Sequence, residues 1–394
     1  MAFNGYSYDE LKSFLLANNP NTAFGEAIKP HTVKKIEFAA KYVEEWLNVV
    51  INVSDNFVFM DIMCNAGLYA NDYLSTSINV LNVFIRFALN HPDKRFYLLT
   101  NDYNQDRVST MKALFNIYQK KFRDLNLYNV NMDVQCSDAV DYLGNINNKF
   151  HFKYMNGGKN SILVYVDPYR FIDLKLAEAV KSFSNNVYCE LLINFYSNDY
   201  TRNVSNSKSK SYQKDINDFV SSFCNMDTSK INSAEAVRDS FINVFKNTKN
   251  IKYHYFINMK NKMNATLYYL IFLTPNIKGL KKVKEATWKI IGHREEYSAT
   301  PQEKDFYYTN IFGDTPEEDD LKLAADKIKK ILIEYNYTEL TFEQILVICL
   351  QTTFMKEGHV ISNVIKPFIE DGFLKKKGLV SNRNFKEDSY VINK

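Results

Sequence analysis

The sequence predicts an α/β protein with a doubly wound, mostly parallel sheet. Four short apolar runs alternate with helical patterns over roughly a hundred residues, which is the strand–helix–strand rhythm of that fold class. The runs lead to Asp61, Asp102, Asp138 and Asp167. Because the carboxyl ends of parallel strands meet at one edge of a sheet, we expect the four acids to gather there.

The first run, residues 58–60, ends in Asp61 and is followed by a turn that carries Asn65 and Gly67. A strand, a glycine-bearing turn and a helix in this order form the nucleotide-binding part of open α/β sheets. Asp61 is either a ligand-binding acid or a plain turn or capping acid, and Gly67 either lets the backbone approach a ligand or only permits the turn. The single glycine disfavours a nicotinamide dehydrogenase, and the absence of a GxxxxGK[ST] segment disfavours a P-loop enzyme.

The second and third runs add two more candidate ligands. Residues 96–100 lead to Asp102, which would accept hydrogen bonds from the hydroxyls of a ribose or, alternatively, cap the next helix. A helix predicted at residues 72–90 accounts for the long spacing between Gly67 and Asp102. For Asp138, ligand binding and capping of the following helix are equally good interpretations.

The fourth run, residues 162–166, is continuously apolar, as expected for a central strand that is covered on both faces. It ends in Asp167-Pro168-Tyr169. A carboxylate at the end of a buried strand marks the edge of a site more often than it lies in the core by accident. This segment resembles the (Asp/Asn/Ser)-Pro-Pro-(Tyr/Phe) turn of DNA and RNA amino-methyltransferases, without the second proline. The resemblance implies that Asp167 would accept the protons of an exocyclic amine, and that Tyr169 or Phe171 would stack on the base that carries this amine.

The composition excludes several other classes of protein. The net charge of +4 is too small to indicate nucleic-acid binding by itself. Five cysteines without a CxxC pair and six histidines without an HxH or HxxxH pair argue against a disulfide framework and against a metal site. The N-terminus carries no signal peptide, and no apolar run reaches the roughly 20 residues that a membrane span needs. We therefore expect a cytoplasmic protein without membrane contact.

The 394-residue chain is predicted to contain more than one unit. A helical extension, residues 1–55, precedes the α/β domain at residues 56–292. Within that domain we predict a basic loop at 201–215 and a helical insertion at 216–248, followed by two strands that form an antiparallel pair at the sheet edge. A charged linker, 293–320, leads to a C-terminal module at 321–394.

The C-terminal module shows three helical patterns and then a short basic hairpin, which is the order of a winged helix. Contact with nucleic acid and contact with protein are equally good interpretations of this module. For Lys208, Lys210 and Lys214, a solvated loop is a better interpretation than contact with nucleic acid. The candidate nucleic-acid contacts are Arg170, Arg202, Lys208, Lys210, Lys366, Lys375 and Lys376.

Together, the four strand ends resemble an S-adenosylmethionine-dependent methyltransferase of class I. With the flanking segments, residues 30–290 resemble the three-Cys-motif partner proteins, a bacterial methyltransferase-like family. The family's approximate signatures DLFAGPG and DPFG or DPYG correspond here to residues 61–67 and 167–170. Cys64-Asn65 and Arg170 depart from these signatures.

The resemblance implies a Rossmann-like class I methyltransferase sheet with S-adenosylmethionine as cofactor. The first turn would receive the methionine part, Asp102 the ribose and Asp138 the adenine edge, while the turn after residue 166 would hold the methyl acceptor. The implied cofactor-binding residues are Asp61, Asn65, Gly67, Asp102 and Asp138, and the implied catalytic residues are Asp167, Pro168 and Tyr169. A partner protein of the three-Cys-motif type and a role in phage defence or in a mobile element are also implied.

We therefore expect a methyltransferase that acts on an exocyclic amine of DNA or RNA. One alternative is a catalytically silent methyltransferase-fold protein that binds nucleic acid or a partner protein, which the departures at Cys64-Asn65 and Arg170 favour. Another is a nucleotide-binding enzyme of a different reaction class, because the fold does not fix the reaction.

Overall fold

The structure is a computed structural model. It describes residues 3–19, 22–153, 158–196, 200, 210–231, 233–261, 263–292, 296–298, 316–377 and 389–393. No helix among these residues is long and apolar enough to cross a lipid bilayer.

A large, mostly parallel sheet forms the centre of the molecule. Its strands follow the spatial order β3-β2-β1-β4-β5-β7-β6-β8, and β7 alone runs antiparallel to its neighbours. This sheet confirms the predicted α/β class. The predicted antiparallel pair is present as β6 and β7, but it does not lie at the edge of the sheet, because β8 pairs with β6 on the outside. The strands are β1 (Asn56–Asp61), β2 (Arg95–Asp102), β3 (Val130–Cys136), β4 (Asn160–Val166), β5 (Glu190–Phe195), β6 (Tyr253–Lys260), β7 (Thr266–Thr274) and β8 (Glu296–Ser298).

Helices cover both faces of the sheet, so the inner strands are buried on both sides. Alternate side chains of β1 enter two separate cores: Phe57 and Phe59 join one hydrophobic cluster, and Val58 and Met60 join the other. The helices of this domain are α1 (Tyr8–Asn18), α2 (Pro30–Val50), α3 (Thr76–Asn90), α4 (Gln105–Asp124), α5 (Ala139–Lys153), α6 (Leu174–Asn186), α7 (Lys210–Asp218), α8 (Ala234–Lys246) and α9 (Ile277–Ile290).

The start of α3 differs from the predicted helix at 72–90. Asp72 has a φ of 66°, in the left-handed region that a helix cannot include. The helix begins instead at Thr76, where the Ser75 hydroxyl accepts a hydrogen bond from the Ile78 amide. The four residues before Thr76 therefore belong to the turn after β1.

Two predicted connections are shorter than the sequence suggested. Helix α7 begins at Lys210, and residues 201–209 of the predicted basic loop lie outside the described residues. Within the predicted linker, residues 296–298 form β8, which extends the large sheet beside β6.

The C-terminal residues form a small helical unit with its own sheet. Its strands are arranged in the order β10-β11-β9, with antiparallel pairing. The winged-helix interpretation and the predicted domain limits stay predictions. The elements are α10 (Pro316–Glu334), β9 (Glu339–Thr341), α11 (Phe342–Thr352), α12 (Glu357–Val360), α13 (Lys366–Glu370), β10 (Leu374–Lys377) and β11 (Ser389–Ile392).

This unit packs tightly against α9 of the α/β domain. The buried Lys284 ammonium donates to the Thr353 carbonyl, and the Trp288 indole N–H donates to the Phe354 carbonyl over 2.8 Å. Side chains of the C-terminal helices share one hydrophobic cluster with α9 and with one face of the sheet. Separating the unit from α9 would therefore expose apolar surface and leave the two carbonyls unpaired.

Candidate functional site

A cleft of about 630 Å³ opens at the carboxyl edge of the parallel strands. The strand order reverses direction between β1 and β4, and open α/β sheets bind ligands at such a switch point. The structure thus brings together residues at or just after the ends of four strands, β1 to β4. The predicted site residues that line the cleft are Asn65, Asp102, Asp138, Asp167, Pro168, Tyr169 and Arg170.

Asp61 lies at the end of β1, beneath the cleft, and does not line it. Its carboxylate accepts hydrogen bonds from the Ser77 hydroxyl over 2.6 Å and from the Met63 amide over 3.3 Å. Burial raises the pKa of Asp61 to about 7, and the nearby carboxylates of Asp102 and Asp167 contribute in the same direction. Asp61 thus supports the turn, and its charge is sensitive to pH near neutrality.

The turn after β1 places Asn65, and not Gly67, in the cleft. Asn65 has a φ of 60°, and its side-chain oxygen accepts a hydrogen bond from the Ala66 amide over 2.7 Å. Gly67 has a φ of 85°, and a Cβ atom there would lie 2.4 Å from Cδ1 of Leu114. The glycine is therefore required both for the turn and for the close packing of α4.

Asp102 is held firmly at the end of β2. One carboxylate oxygen accepts from the Asn65 amide over 3.0 Å, and the other accepts from the Asn104 amide over 2.9 Å. Arg107 approaches the same carboxylate at 3.9 Å. The residue that caps α4 is Asn104. Asp102 is therefore not the cap of this helix, which was the alternative interpretation of this acid. A carboxylate has about four acceptor positions, so Asp102 retains capacity for a ligand.

Asp138 is exposed and accepts a hydrogen bond from the Val140 amide over 2.8 Å, at the start of α5. This is the interaction that the capping interpretation requires. Since Asp138 also lines the cleft, one carboxylate oxygen has a local structural role and the other is available at the cleft.

Asp167 is engaged by three neighbouring side chains. Lys35 of α2 donates to both carboxylate oxygens at 2.7 Å, Asn194 of β5 donates to Oδ1 at 2.7 Å, and the Tyr165 hydroxyl donates to Oδ2 at 3.2 Å. The Lys35 side chain is 5% exposed and that of Asp167 is 20% exposed. The pair is therefore a largely buried ion pair at the centre of the cleft.

The aromatic residues of the predicted acceptor turn divide between surface and core. Tyr169 is 83% exposed, so its ring is available for stacking. Phe171 borders the cleft but is buried against Tyr200 and Tyr212, so little of its ring surface is open to a base. Arg170 is exposed and its guanidinium lies 5.4 Å from the centre of the Phe171 ring, within the range of a cation–π contact.

Of the other predicted basic contacts, the four that the structure describes do not line the cleft. Lys210, Lys366 and Lys375 are exposed on α7, α13 and β10, and none of them lines it. Arg202 and Lys208 lie outside the described residues, and Lys376 is half-buried on β10.

Sequence reasoning missed Lys35, although a signal was present. Lys35, Ala39, Tyr42 and Trp46 are spaced by three or four residues and are all buried, so the lysine lies on the apolar stripe of α2. A lysine on such a stripe needs a buried partner. Here the partner is Asp167, which is 132 residues away in the sequence.

Asp61→Asn is expected to change how stability depends on pH. The raised pKa means that the folded state favours protonated Asp61, so this stabilisation is complete below about pH 4 and is lost as the pH rises to about 7. The free energy of unfolding of the native protein should therefore contain a contribution of up to about 4 kcal/mol that disappears over this pH range. Asp61→Asn should lack this contribution. Urea unfolding of both proteins between pH 4 and 8 measures the difference.

Glu190 provides the control, because burial also raises its pKa to about 7. Glu190→Gln should remove a separate share of the same pH dependence, and the double variant should remove both. Parallel curves for the native protein and Asp61→Asn would contradict the assignment to Asp61.

No protein-family model matches the sequence, and no curated protein matches it. A candidate class I S-adenosylmethionine-dependent methyltransferase of Listeria monocytogenes is 13% identical, with 69% of this chain and 70% of that chain covered and a TM-score of 0.32. The protein LPL1258 of Legionella pneumophila is 9% identical, with 65% and 93% covered and a TM-score of 0.36. Because both TM-scores are low, we assign the fold from the strand order of the sheet.

Proposed function

We propose that the chain binds S-adenosylmethionine in this cleft and transfers the methyl group to a nucleic acid. The observation that carries the proposal is the position of Asp102, which two backbone amides hold at the end of β2 beside the switch point. This is where a doubly wound sheet offers an acid to the ribose of a bound nucleotide.

The residues present fit this cofactor. Asp102 retains acceptor positions for ribose hydroxyls, Asn65 presents a polar side chain in the first turn, and Asp138 lies where the adenine edge would bind. When bound, the cofactor would supply an activated methyl group, while the protein would supply position and orientation.

Asp102→Ala is expected to weaken binding of S-adenosylmethionine by roughly 1.5–3 kcal/mol, because charge-assisted hydrogen bonds to the ribose are lost. Isothermal calorimetry with S-adenosylmethionine and with S-adenosylhomocysteine measures this change. Asp141→Ala is the control, since Asp141 is an exposed acid of α5 outside the cleft. If neither ligand bound to the native protein at millimolar concentration, the proposal would be refuted.

A nucleic acid fits the mouth of the cleft for two reasons. Tyr103 is 73% exposed and Tyr169 is 83% exposed, so two rings are free to stack on bases. Arg170 lies beside Tyr169 and offers a charge to phosphate. Transfer of a tritiated methyl group to mixed DNA and RNA, followed by nucleoside analysis, tests this part of the proposal.

The finer features come from the sequence alone. An exocyclic amine as acceptor follows from the Asp167-Pro168-Tyr169 turn. A partner protein of the three-Cys-motif type and a role in phage defence or a mobile element follow from the family resemblance. Co-purification with a protein encoded beside this one in its genome tests for the partner.

A catalytically silent protein with this fold is the second candidate, and one observation favours it. Lys35 and its neighbours already use the acceptor positions of Asp167. Saturable cofactor binding without methyl transfer to DNA, RNA or protein would support this alternative.

A further inference from the structure

Asp167 has no acceptor position left for an amine. A carboxylate offers about four lone-pair positions. Lys35 uses one on each oxygen, Asn194 uses a second on Oδ1, and Tyr165 uses a second on Oδ2. An exocyclic amine must donate its protons, so it would have to displace one of these donors.

Displacing Lys35 is unfavourable because its side chain is 5% exposed. Pulling the ammonium away would leave a largely buried lysine and a largely buried aspartate without compensating charges. The amide oxygen of Asn194 lacks a hydrogen-bond partner among the described residues, but this side chain is fully buried and does not line the cleft. Among the described residues, an amine acceptor thus finds no accessible side-chain carboxylate or side-chain amide oxygen beside Lys35 at this point of the cleft.

Lys35 itself offers the opposite chemistry. Its ammonium has three N–H donors, two of which are directed to Asp167. Among the residues that the structure describes, no polar atom accepts the third, and the nitrogen lies 5.6 Å from the centre of the Tyr268 ring. Lys35 lines the cleft. The group that the cleft presents beside Asp167 is therefore a hydrogen-bond donor with a positive charge.

We infer that Lys35, and not Asp167, contacts the methyl acceptor, and that the acceptor atom is a hydroxyl oxygen. In a nucleic acid this is a ribose hydroxyl, so the substrate class is RNA. Asp167, Asn194 and Tyr165 are positioning residues that hold the ammonium in place. The inference rests on the proposed methyl transfer and replaces the amine acceptor that the sequence suggested.

The reaction balances without a further reagent. The hydroxyl oxygen attacks the methyl carbon, the carbon–sulfur bond of the sulfonium breaks, and S-adenosylhomocysteine leaves as a neutral thioether. The hydroxyl proton passes to water. A hydrogen bond from the Lys35 ammonium to the attacking oxygen stabilises the negative charge that develops as this proton leaves.

The location of the methyl group in the product of the native protein is the decisive measurement. The protein is incubated with methyl-labelled S-adenosylmethionine and a mixture of RNA and DNA, and the nucleosides are analysed. Label on a ribose oxygen supports the inference. Label on an exocyclic nitrogen or a ring carbon overturns it and leaves the proposed methyl transfer standing, whereas cofactor binding without any transfer overturns both.

A second measurement needs no cofactor. The 2′-hydroxyl distinguishes RNA from DNA at a given site, so we expect the native protein to bind a single-stranded RNA more tightly than the DNA of the same sequence in fluorescence anisotropy. Lys35→Met should abolish this preference and lower methyl transfer by about 100-fold, the typical effect of losing one such donor. Lys34→Met is the matched control, because Lys34 is a half-buried neighbour outside the cleft that pairs with Glu37.

Lys35→Arg tests the inference in a variant that is expected to fold even if Lys35→Met does not. It keeps the charge beside Asp167 but changes the position of the donor, so it should fold and still lose most of the methyl transfer. Equal affinity of the native protein for the two oligonucleotides, or full transfer by a folded Lys35→Met protein, would overturn the inference.

Discussion

Asp167→Ala is expected to lower the free energy of unfolding by about 3–5 kcal/mol, because it leaves the Lys35 ammonium buried without its counter-charge. Both carboxylate oxygens accept from Lys35 at 2.7 Å, and Asn194 also loses one of its two acceptors, keeping the Tyr196 hydroxyl at 3.2 Å. The 20% exposure of the Asp167 side chain places the expected value near the lower limit. Urea unfolding monitored by circular dichroism measures the change.

A double-mutant cycle separates this ion pair from the general loss of packing. With Lys35→Met in the same chain, Asp167→Ala should cost much less, since no uncompensated charge is created. Glu37→Ala is the surface control, because Glu37 and Lys34 form an exposed pair whose loss should cost less than about 1 kcal/mol. An equal cost of Asp167→Ala with and without Lys35 would show that the two charges are not coupled.

Gly67→Ala is expected to lower the free energy of unfolding by about 2–4 kcal/mol. Its φ of 85° costs an L-residue about 1–2 kcal/mol, and the added methyl group would lie 2.4 Å from the buried side chain of Leu114. Movement of α4 to relieve this contact would also shift the turn that places Asn65 in the cleft, so cofactor affinity should fall as well. Thermal unfolding and calorimetry of the same variant measure the two effects.

Gly144→Ala is the matched control for this substitution. Gly144 lies in α5, and an added Cβ there meets no atom within 4 Å. Alanine in a helix is more favourable than glycine by roughly 0.5–1 kcal/mol, so this variant should be as stable as the native protein or more stable. If both alanine substitutions had the same small effect, the close packing of Gly67 against α4 would be refuted.

Much of the candidate site could be predicted because its signals are local. Each parallel strand is a short apolar run, and the residue after it lies at the carboxyl edge of the sheet wherever the strand is placed. Asp102, Asp138 and Asp167 could therefore be assigned to one cleft without knowledge of the strand order. The tight turn after Asp61 was also visible as a strand followed by a glycine.

The sequence by itself determined the α/β class and which acids meet at the edge of the sheet, because both follow from periodicity and chain order. Only the tertiary structure decided what each acid contacts, because a partner distant in sequence leaves no mark in the local pattern. The apolar stripe of α2 shows that Lys35 is buried but not that it meets Asp167. In the same way, the glycine pattern shows a turn at Gly67 but not that Leu114 of α4 lies against it.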